Sequence, residues 1–560
     1  MKIFLAQENY HIGNFEKNTE KIIDAIKEAK KAKADLIVFS EMSICGYPAK
    51  DFLDFKDFID KCFESIEIIK QHADTIGVIV GSPDRNPVRE GKDLFNAAFF
   101  IYEKEIKGVA HKTCLPNYDV FDEYRYFEPA FSWNVIEFKG KRIALTICED
   151  IWNLGDNPLY RICPMDILME QNPDLMINIS ASPFDYTHAD DRRATIKANV
   201  LKYKLPLIYC NAIGSQTEII FDGVSLCFDK DANLQHELSQ FGEELKEVVL
   251  NDDGTFDAPI LRPADEVGNF LLEPVEFAPS LNINQVYDAI ILGIRDYFTK
   301  MGFNKAIIGS SGGIDSAVTI GLACEALGKE NVRAILMPSE FSTSHSISDA
   351  EQLSKNLGNP YDIIPIKSIF ESFLKELKPV FKNLPFSVAE ENIQSRTRGN
   401  LLMSVANKFG YILLNTSNKS ELATGYGTLY GDMAGGIGVL GDCYKQQVYE
   451  LAKYINREKE IIPGNIINKA PSAELRPGQK DTDSLPPYDI LDEILYQYIE
   501  RVQGPQEIKS MGFDPDLVDR ILKLVNRNEY KRNQFCPIIR ISPKAFGTGR
   551  RMPIVGNYLD

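Results

Sequence analysis

Three short segments each place a reactive side chain directly behind an apolar run: Phe39-Ser40-Glu41, Ala110-His111-Lys112 and Thr146-Ile147-Cys148-Glu149-Asp150. Short apolar runs of this kind read as strands, and open α/β sheets gather their chemistry beyond strand ends. A carboxylate, an ammonium and a thiol form a usable set. Cysteine attacks a carbonyl carbon once a base takes its proton; a glutamate can be that base, and the lysine can lower the thiol pKa and stabilise the oxyanion that forms. Taken singly, each residue also has a structural explanation. A Cys ending an apolar strand is more often inert core, and a lone Glu or Lys at a strand end is usually solvated, so it is the combination that points to acyl chemistry.

A second constellation lies far downstream, where Ala306-Ile307-Ile308-Gly309 runs into Ser310-Ser311-Gly312-Gly313-Ile314-Asp315-Ser316 and then into a helical pattern. Glycines at a strand-to-helix turn let backbone N–H groups face an anion, Ser hydroxyls add donors, and Asp315 can hold a divalent cation. The loop reads as a phosphate cradle rather than an ordinary Gly-rich turn because of the strand before it and the helix after it. It lacks the Gly-Lys-Ser/Thr ending that serves γ-phosphate transfer. Gly436-Ile437-Gly438-Val439-Leu440-Gly441 fits G-x-G-x-x-G but follows no predicted strand, so it is not read as a dinucleotide fingerprint.

The elements that must position these groups follow from period and punctuation. With 560 residues the chain exceeds one core and divides into two large domains or three ordinary ones. Upstream, strand runs at Leu36–Phe39, Ile76–Val80, Ala97–Tyr102, Ile143–Cys148, Leu175–Ile179 and Leu207–Cys210 are interspersed with helical patterns at about Glu16–Ala34 and Asp57–Ala73. Downstream the alternation is more regular. Helix Ile283–Lys300, strand Ala306–Gly309, helix Ser316–Leu327, strand Val332–Met337, helix Ser346–Asn356, strand Tyr361–Pro365, two more helices around Phe370–Leu377 and Glu390–Lys408, and strand Tyr411–Asn415 predict a doubly wound parallel sheet. From Tyr488 onward the tail reads as helices. The stretch between Pro259 and Pro279 holds four prolines and five charges without sustained periodicity and reads as a linker, giving domains 1–262 and 283–560 with 263–282 between them.

Composition narrows the partners. Lys+Arg 62 against Asp+Glu 80 gives a net charge of −18, which argues against a nucleic-acid footprint and against docking on anionic lipid. Small anions remain open, since a few local cations suffice to hold them. Ten cysteines with no C-x-x-C pair read as a reduced set rather than a disulfide framework or zinc site. No run approaches the ~20 apolar residues that span a bilayer, and the apolar start is too short for a signal-peptide core, so a cytoplasmic location is expected.

The first constellation resembles the nitrilase superfamily, whose members carry Glu, Lys and Cys in this chain order. The surrounding motifs F-S-E-M-S-I-C-G-Y-P at 39–48, H-K-T-C-L-P-N-Y-D-V-F-D-E-Y-R-Y-F at 111–127 and C-E-D-I-W at 148–152 are most similar to its glutamine amidohydrolase domains fused to synthetases. The resemblance implies an α-β-β-α sandwich with Glu41, Lys112 and Cys148 catalytic, and with Tyr118, Glu123, Ser182 and His188 around substrate glutamine. His188 departs from the family pattern, which has a lysine or arginine there to meet the glutamine carboxylate; a neutral imidazole holds that anion more weakly.

The second constellation, S-G-G-x-D-S, resembles the pyrophosphate loop of N-type ATP pyrophosphatases, a Rossmann-like fold akin to the adenine nucleotide alpha hydrolases. With M-P-S-E-F-S at 337–342, E-N-I-Q-S-R at 391–396, N-T-S-N-K-S-E at 415–421, L-Y-G-D-M-A-G-G at 429–436, P-S-A-E-L-R-P-G-Q at 471–479 and S-P-K-A-F-G at 542–547, the chain resembles the glutamine-dependent NAD synthetase family over nearly its whole length. That resemblance implies ATP-binding by Gly309, Ser310, Ser311, Gly312, Gly313, Ile314, Asp315, Ser316, Arg396, Thr416, Lys445 and Ser472. It implies contacts to deamido-NAD from Asn392, Glu421, Asp432 and Lys531, Mg²⁺ held by Asp315 and Glu421, and a homo-oligomer with glutamine, ATP and deamido-NAD as substrates. Cys443 stands where an aliphatic residue is expected. Two other readings stay open from sequence: a different glutamine-fed amidotransferase using the same loop, and a non-catalytic sensor of glutamine and nucleotide.

Overall fold

The computed structural model of the chain describes all residues except 155–157, 269–275, 383, 473, 477, 480, 484 and 560. It forms two compact units, Met1–Glu273 and Pro274–Asp560. The division falls inside the stretch expected to be a linker, part of which, 269–275, lies outside the described residues. Before it, Val267 is buried in the first unit's core and its carbonyl accepts from Lys197 Nζ at 2.7 Å, so packing of the first unit continues five residues past the expected boundary at 262. Beyond it, Phe277 packs its ring against Tyr444 and Tyr496 of the second unit.

The first unit is built on two six-stranded sheets. One runs Glu244–Val249, Lys2–Gln7, Leu36–Phe39, Gly77–Arg85, Leu94–Tyr102, Glu105–His111; the other runs Leu234–Glu237, Leu226–Phe228, Leu207–Asn211, Leu175–Ser180, Lys141–Ile147, Ile136–Phe138. Because side chains alternate across a strand, Leu36 and Val38 meet Ile143, Leu145 and Ile177 between the sheets. Ile37 turns the other way, onto Ile22 and Ile26 of helix Phe15–Lys31 and Ile66 of helix Lys56–Lys70. Ala144 and Met176 likewise turn outward onto Ile196 and Val200 of helix His188–Tyr203. This is an α-β-β-α sandwich. The strand runs read from sequence all appear, within a few residues, and the additions are mainly edge strands such as Glu105–His111 and Glu244–Val249, whose charged, part-exposed residues break the apolar signal.

In the second unit five parallel strands lie in the order Tyr361–Ile363, Val332–Leu336, Ala306–Gly309, Ile412–Asn415, Ile437–Gly438. Ile307, Ile335 and Leu413 pack onto Leu402 and Ala406 of helix Val388–Phe409. Helix Ile314–Leu327 packs on Ala306–Gly309 and Val332–Leu336 and against helices Ile283–Met301 and Lys445–Ile455. The sheet is doubly wound, with its topological switch between Ala306–Gly309 and Ile412–Asn415. Helix Ile314–Leu327 starts two residues before the sequence expectation, which puts Asp315 and Ser316 in its first turn, where backbone N–H groups have no intrahelical partner. The G-x-G-x-x-G stretch supplies the short edge strand Ile437–Gly438, and the next helix begins only at Lys445.

Candidate active sites

In the first unit Glu41, Lys112 and Cys148 each lie just beyond a strand end, and the chain's own hydrogen bonds draw these ends together. Lys112 Nζ donates to Glu41 Oε1 and to Glu123 Oε1, both at 2.8 Å. Asn96 Nδ2 donates to Glu41 Oε1 at 2.6 Å, and the Ala181 amide donates to Glu41 Oε2 at 2.8 Å. Tyr47 OH donates to Glu123 Oε1 at 2.8 Å. Lys112 is fully buried; burial opposes its charge, but Glu123 and Glu41 outweigh that and hold its pKa well above the usual lysine range. Burial raises Glu123 to about 6 against the pull of Lys112. At Gly81 a Cβ would come within 2.3 Å of the Met42 amide nitrogen, so the turn carrying Glu41 can lie on strand Gly77–Arg85 only because glycine is there.

Cys148 ends strand Lys141–Ile147 with φ +43 and opens a short 3₁₀ turn, Cys148–Ile151. A non-glycine residue in the left-handed region stores strain, a feature that collects at functional sites. Asp150 holds the turn in place. Its Oδ1 accepts from the amides of Thr113 at 2.9 Å and Cys114 at 2.8 Å, and its Oδ2 from Ile147 at 3.0 Å. One carboxylate thereby ties the segment after Lys112 to the residue before Cys148. Burial pushes the Cys148 thiol well above its ordinary pKa; Glu41 adds to this and Lys112 opposes it. The resting group is a thiol that needs a base.

The residues expected around glutamine are placed as follows. Tyr118 OH donates to Glu149, at 2.9 Å to Oε1 and 3.0 Å to Oε2. Ser182 Oγ and His188 Nε2 are 2.8 Å apart, and the His188 ring stacks on Trp152 with centroids 5.0 Å apart. Glu123 belongs to the Lys112 cluster. Sequence reasoning missed Glu149, whose burial raises its carboxyl to about 7 against the opposing influence of Lys112 and Tyr118.

In the second unit the phosphate loop turns on itself. Ser316 Oγ donates to the Gly313 carbonyl at 3.0 Å, and the Gly313 amide donates to Ser311 Oγ at 3.2 Å. Gly312 has φ +76, and a Cβ there would fall 2.3 Å from the Ser346 carbonyl oxygen, so no other residue fits. The loop opens on a cavity of about 280 Å³ lined by Gly309, Ser310, Ser311, Gly313, Ile314, Asp315 and Ser316, with Thr416, Glu421, Asp432, Lys445 and Ser472 also on its wall.

Asp315 Oδ2 accepts from Lys445 Nζ at 2.6 Å, and Glu421 Oε1 lies 3.5 Å from the same nitrogen. Asn418 connects them. Its Nδ2 donates to Asp315 Oδ1 at 2.8 Å while its Oδ1 caps helix Lys419–Thr424 by accepting from the Glu421 amide at 2.9 Å. Burial and then Asp315 raise the Glu421 carboxyl to about 8. Behind this helix the fully buried Lys419 Nζ reaches Asp442 Oδ1 at 2.8 Å and Glu500 Oε1 at 2.6 Å, and donates to Ser542 Oγ and the Lys544 carbonyl. The S-P-K-A-F-G tail segment is thereby fastened to the site's back wall. Cys443 is fully buried and packs there as a small apolar group.

Asn392, Asp432 and Lys531 converge on another segment. Asn392 Oδ1 accepts from Thr428 Oγ1 at 2.8 Å, Asp432 Oδ1 from the Thr428 amide at 2.6 Å, and Lys531 Nζ donates to the carbonyls of Gly425 at 2.7 Å and Gly427 at 2.9 Å. Arg396 donates from Nε to the Leu429 carbonyl at 3.2 Å and lines a second cavity with Tyr430 and Phe535, while the arginine on the wall of the phosphate-loop cavity is Arg398. That cavity also takes in Lys469, Glu474 and Asp481, which sequence reasoning did not single out. Among the described residues no helix is long and apolar enough to cross a membrane.

Comparison with known proteins assigns each unit. The carbon-nitrogen hydrolase family model matches residues 3–252, and the NAD synthase family model matches residues 286–535. The chain is 43% identical over 559 residues to the glutamine-dependent NAD(+) synthetase of Synechocystis sp., covering 99% of this chain and 98% of that one. It is 40% identical to the enzyme of the same name from Thermotoga maritima, covering 100% and 99%. The solved glutamine-dependent NAD+ synthetase of Acinetobacter baumannii in complex with ADP superposes with a TM-score of 0.76 at 36% identity, over 99% of this chain and 98% of that one. Full-length identity at this level, with both catalytic units in the same order, settles the assignment: the chain belongs to the glutamine-dependent NAD(+) synthetase family.

Proposed function

We propose that this chain amidates deamido-NAD to NAD, using glutamine as nitrogen source and ATP as activator, and releasing glutamate, AMP and pyrophosphate. The observation that carries the reading is the presence in one chain of a buried Glu-Lys-Cys cluster and a phosphate-loop cavity with paired carboxylates. In the first unit Glu41 takes the Cys148 proton as Sγ attacks the side-chain amide carbon of glutamine. The Lys112 ammonium stabilises the oxyanion, and Glu41 returns the proton to the departing nitrogen, which leaves as ammonia. Water, deprotonated by Glu41, then splits the γ-glutamyl thioester and restores the thiol. In the second unit the nicotinate carboxylate attacks the α-phosphorus of ATP and expels pyrophosphate; ammonia then adds to the activated carbonyl and AMP departs.

Asp315 and Glu421 share one ammonium, Lys445, and burial with mutual repulsion raises Glu421, so this wall of the cavity is short of positive charge and fits Mg²⁺. When bound, Mg²⁺ neutralises phosphate charge during adenylylation. Among the described residues no third carboxylate, His or Cys completes a cluster, so phosphate and water oxygens would fill the remaining positions.

The direct test mixes protein, glutamine, MgATP and deamido-NAD and separates the products by liquid chromatography. NAD and AMP should form in equal amounts. Pyrophosphate release with a different acceptor and none with deamido-NAD would overturn the reading, as would binding of all three substrates without turnover.

Glu149 stands beside the nucleophile with Tyr118 on it, and we assign it to the α-ammonium of glutamine. Its carboxyl, raised to about 7, is anionic above that pH and neutral below it. The kcat/KM for glutamine should therefore fall as pH is lowered through about 7. Glu149→Gln should raise KM for glutamine at least ~10-fold and flatten that limb, with ammonia-driven synthesis unchanged. A wild-type pH profile in the variant would remove Glu149 from substrate binding.

A further inference from the structure

Among the described residues three cations line the phosphate-loop cavity, and two of them are already committed to carboxylates. Lys445 lies 2.6 Å from Asp315, and Lys469 Nζ lies 2.7 Å from Glu474 Oε1 and donates to Ser346 Oγ. Arg398 differs. Its Nε donates to the Met337 carbonyl at 3.0 Å, and among the described residues no carboxylate comes within 4.0 Å of its guanidinium. Burial pushes it down to about 10 even though Asp432 and Glu474 act to raise it. A guanidinium in that condition is stabilised by an anion that enters the cavity, because its desolvation cost exceeds what Asp432 and Glu474 return.

Its anchorage fixes where it acts. Met337 follows strand Val332–Leu336, which pairs with Ala306–Gly309, the strand that opens the phosphate loop. A Cβ on Gly309 would lie 3.4 Å from Met337 Cε and 3.1 Å from Leu402 Cδ1, one helical turn along from Arg398, so helix Val388–Phe409 lies directly against the start of the loop. There too the buried Ser310 hydroxyl has no partner among the described residues. Gly399, next in the chain, lets the helix meet the Gly431 backbone, where a Cβ would stand 2.9 Å from the carbonyl oxygen. Arg398 is thus held at a fixed place on the cavity wall by its own bond to Met337 and by the contacts of Gly399 and Leu402 that follow it.

We infer that Arg398 binds the triphosphate of ATP opposite the loop, with the Ser310 hydroxyl as a further donor, and that it retains the pyrophosphate as it leaves. The planar guanidinium, with Nε fixed on Met337, presents its terminal N–H groups as a fork suited to two phosphate oxygens. Lys445 and Lys469 cannot supply this without giving up their carboxylates.

The inference rests on the ATP-dependent reaction proposed above, and its test separates the two. Full-length Arg398→Met and Arg398→Gln are compared with wild type in ammonia-driven synthesis and by calorimetric titration with pyrophosphate alone, which needs no turnover. Gln keeps an N–H for the Met337 carbonyl, so a folding defect confined to the Met variant leaves the measurement intact. Both folded variants should bind pyrophosphate at least ~10-fold more weakly and raise KM for ATP by a similar factor, with KM for deamido-NAD within about twofold of wild type. Wild-type pyrophosphate affinity in either folded variant overturns the assignment. So does a rise confined to KM for deamido-NAD, which would give Arg398 to the dinucleotide. Failure of wild type to make NAD while still binding pyrophosphate through Arg398 would instead overturn the proposed function and leave this site standing.

Discussion

Cys148→Ala should lower glutamine-dependent NAD formation by at least ~10³-fold and leave ammonia-driven formation within about twofold of wild type. The size of the loss follows from chemistry. The other groups of the Glu41-Lys112-Glu123 cluster are carboxylates paired with an ammonium, and without the thioester the remaining cluster can only polarise the amide and orient water. The substitution is also structurally mild. Cys148 already carries a Cβ at φ +43, so alanine adds no backbone strain, and the Asp150 carboxylate that pins the turn bonds backbone amides rather than the thiol. Ammonium salts bypass the thiol entirely. Initial rates with glutamine and with ammonium chloride, measured on the same preparation, decide the matter; equal loss with both donors would show that Cys148 serves the fold or the synthetase step and not nitrogen release.

The proposed nucleophile and its partners could be singled out because strand ends are easy to read: an apolar run stops, and a charged or reactive residue follows. Glu149 was not legible for a physical reason. On a continuing strand its side chain would point away from that of Cys148, and only the left-handed turn at Cys148 folds the chain so that both face one site. Arg398 was hidden by helical geometry. Residues two apart on a helix point in nearly opposite directions, so Arg396 and Arg398 cannot share a cavity, and nothing local says which of them faces the phosphate loop. That choice is made by the Met337 carbonyl, a contact 61 positions away in sequence. The parallel order of the second sheet followed from its regular alternation, whereas the charged edge strands of the first unit have no apolar run to mark them. Burial of Val267 in the first unit's core was equally invisible, since its neighbours Glu266 and Gly268 carry no period.

Asp315→Asn and Glu421→Gln should each reduce synthesis by about 10³-fold with glutamine and with ammonia alike, while glutaminase activity of the Cys148 site persists. Each substitution removes one of the two carboxylates that meet on Lys445 and are proposed to hold Mg²⁺. Gln at 421 retains a side-chain oxygen that can accept from the Asn418 amide, so the cap of helix Lys419–Thr424 survives and the loss reports on charge. Asn at 315 likewise keeps an oxygen for Asn418 Nδ2. A second readout follows from titration. Burial and Asp315 raise the Glu421 carboxyl to about 8, so a cation binding there must displace its proton. The Mg²⁺ concentration giving half-maximal synthesis should therefore rise as pH falls below about 8 in the wild-type chain, and Glu421→Gln should lose that dependence because it has no proton to release. Unchanged ammonia-driven turnover in both variants, or a Mg²⁺ requirement in Glu421→Gln that still weakens at low pH, would place the metal elsewhere in the cavity and leave Asp315 and Glu421 as partners of Lys445 alone.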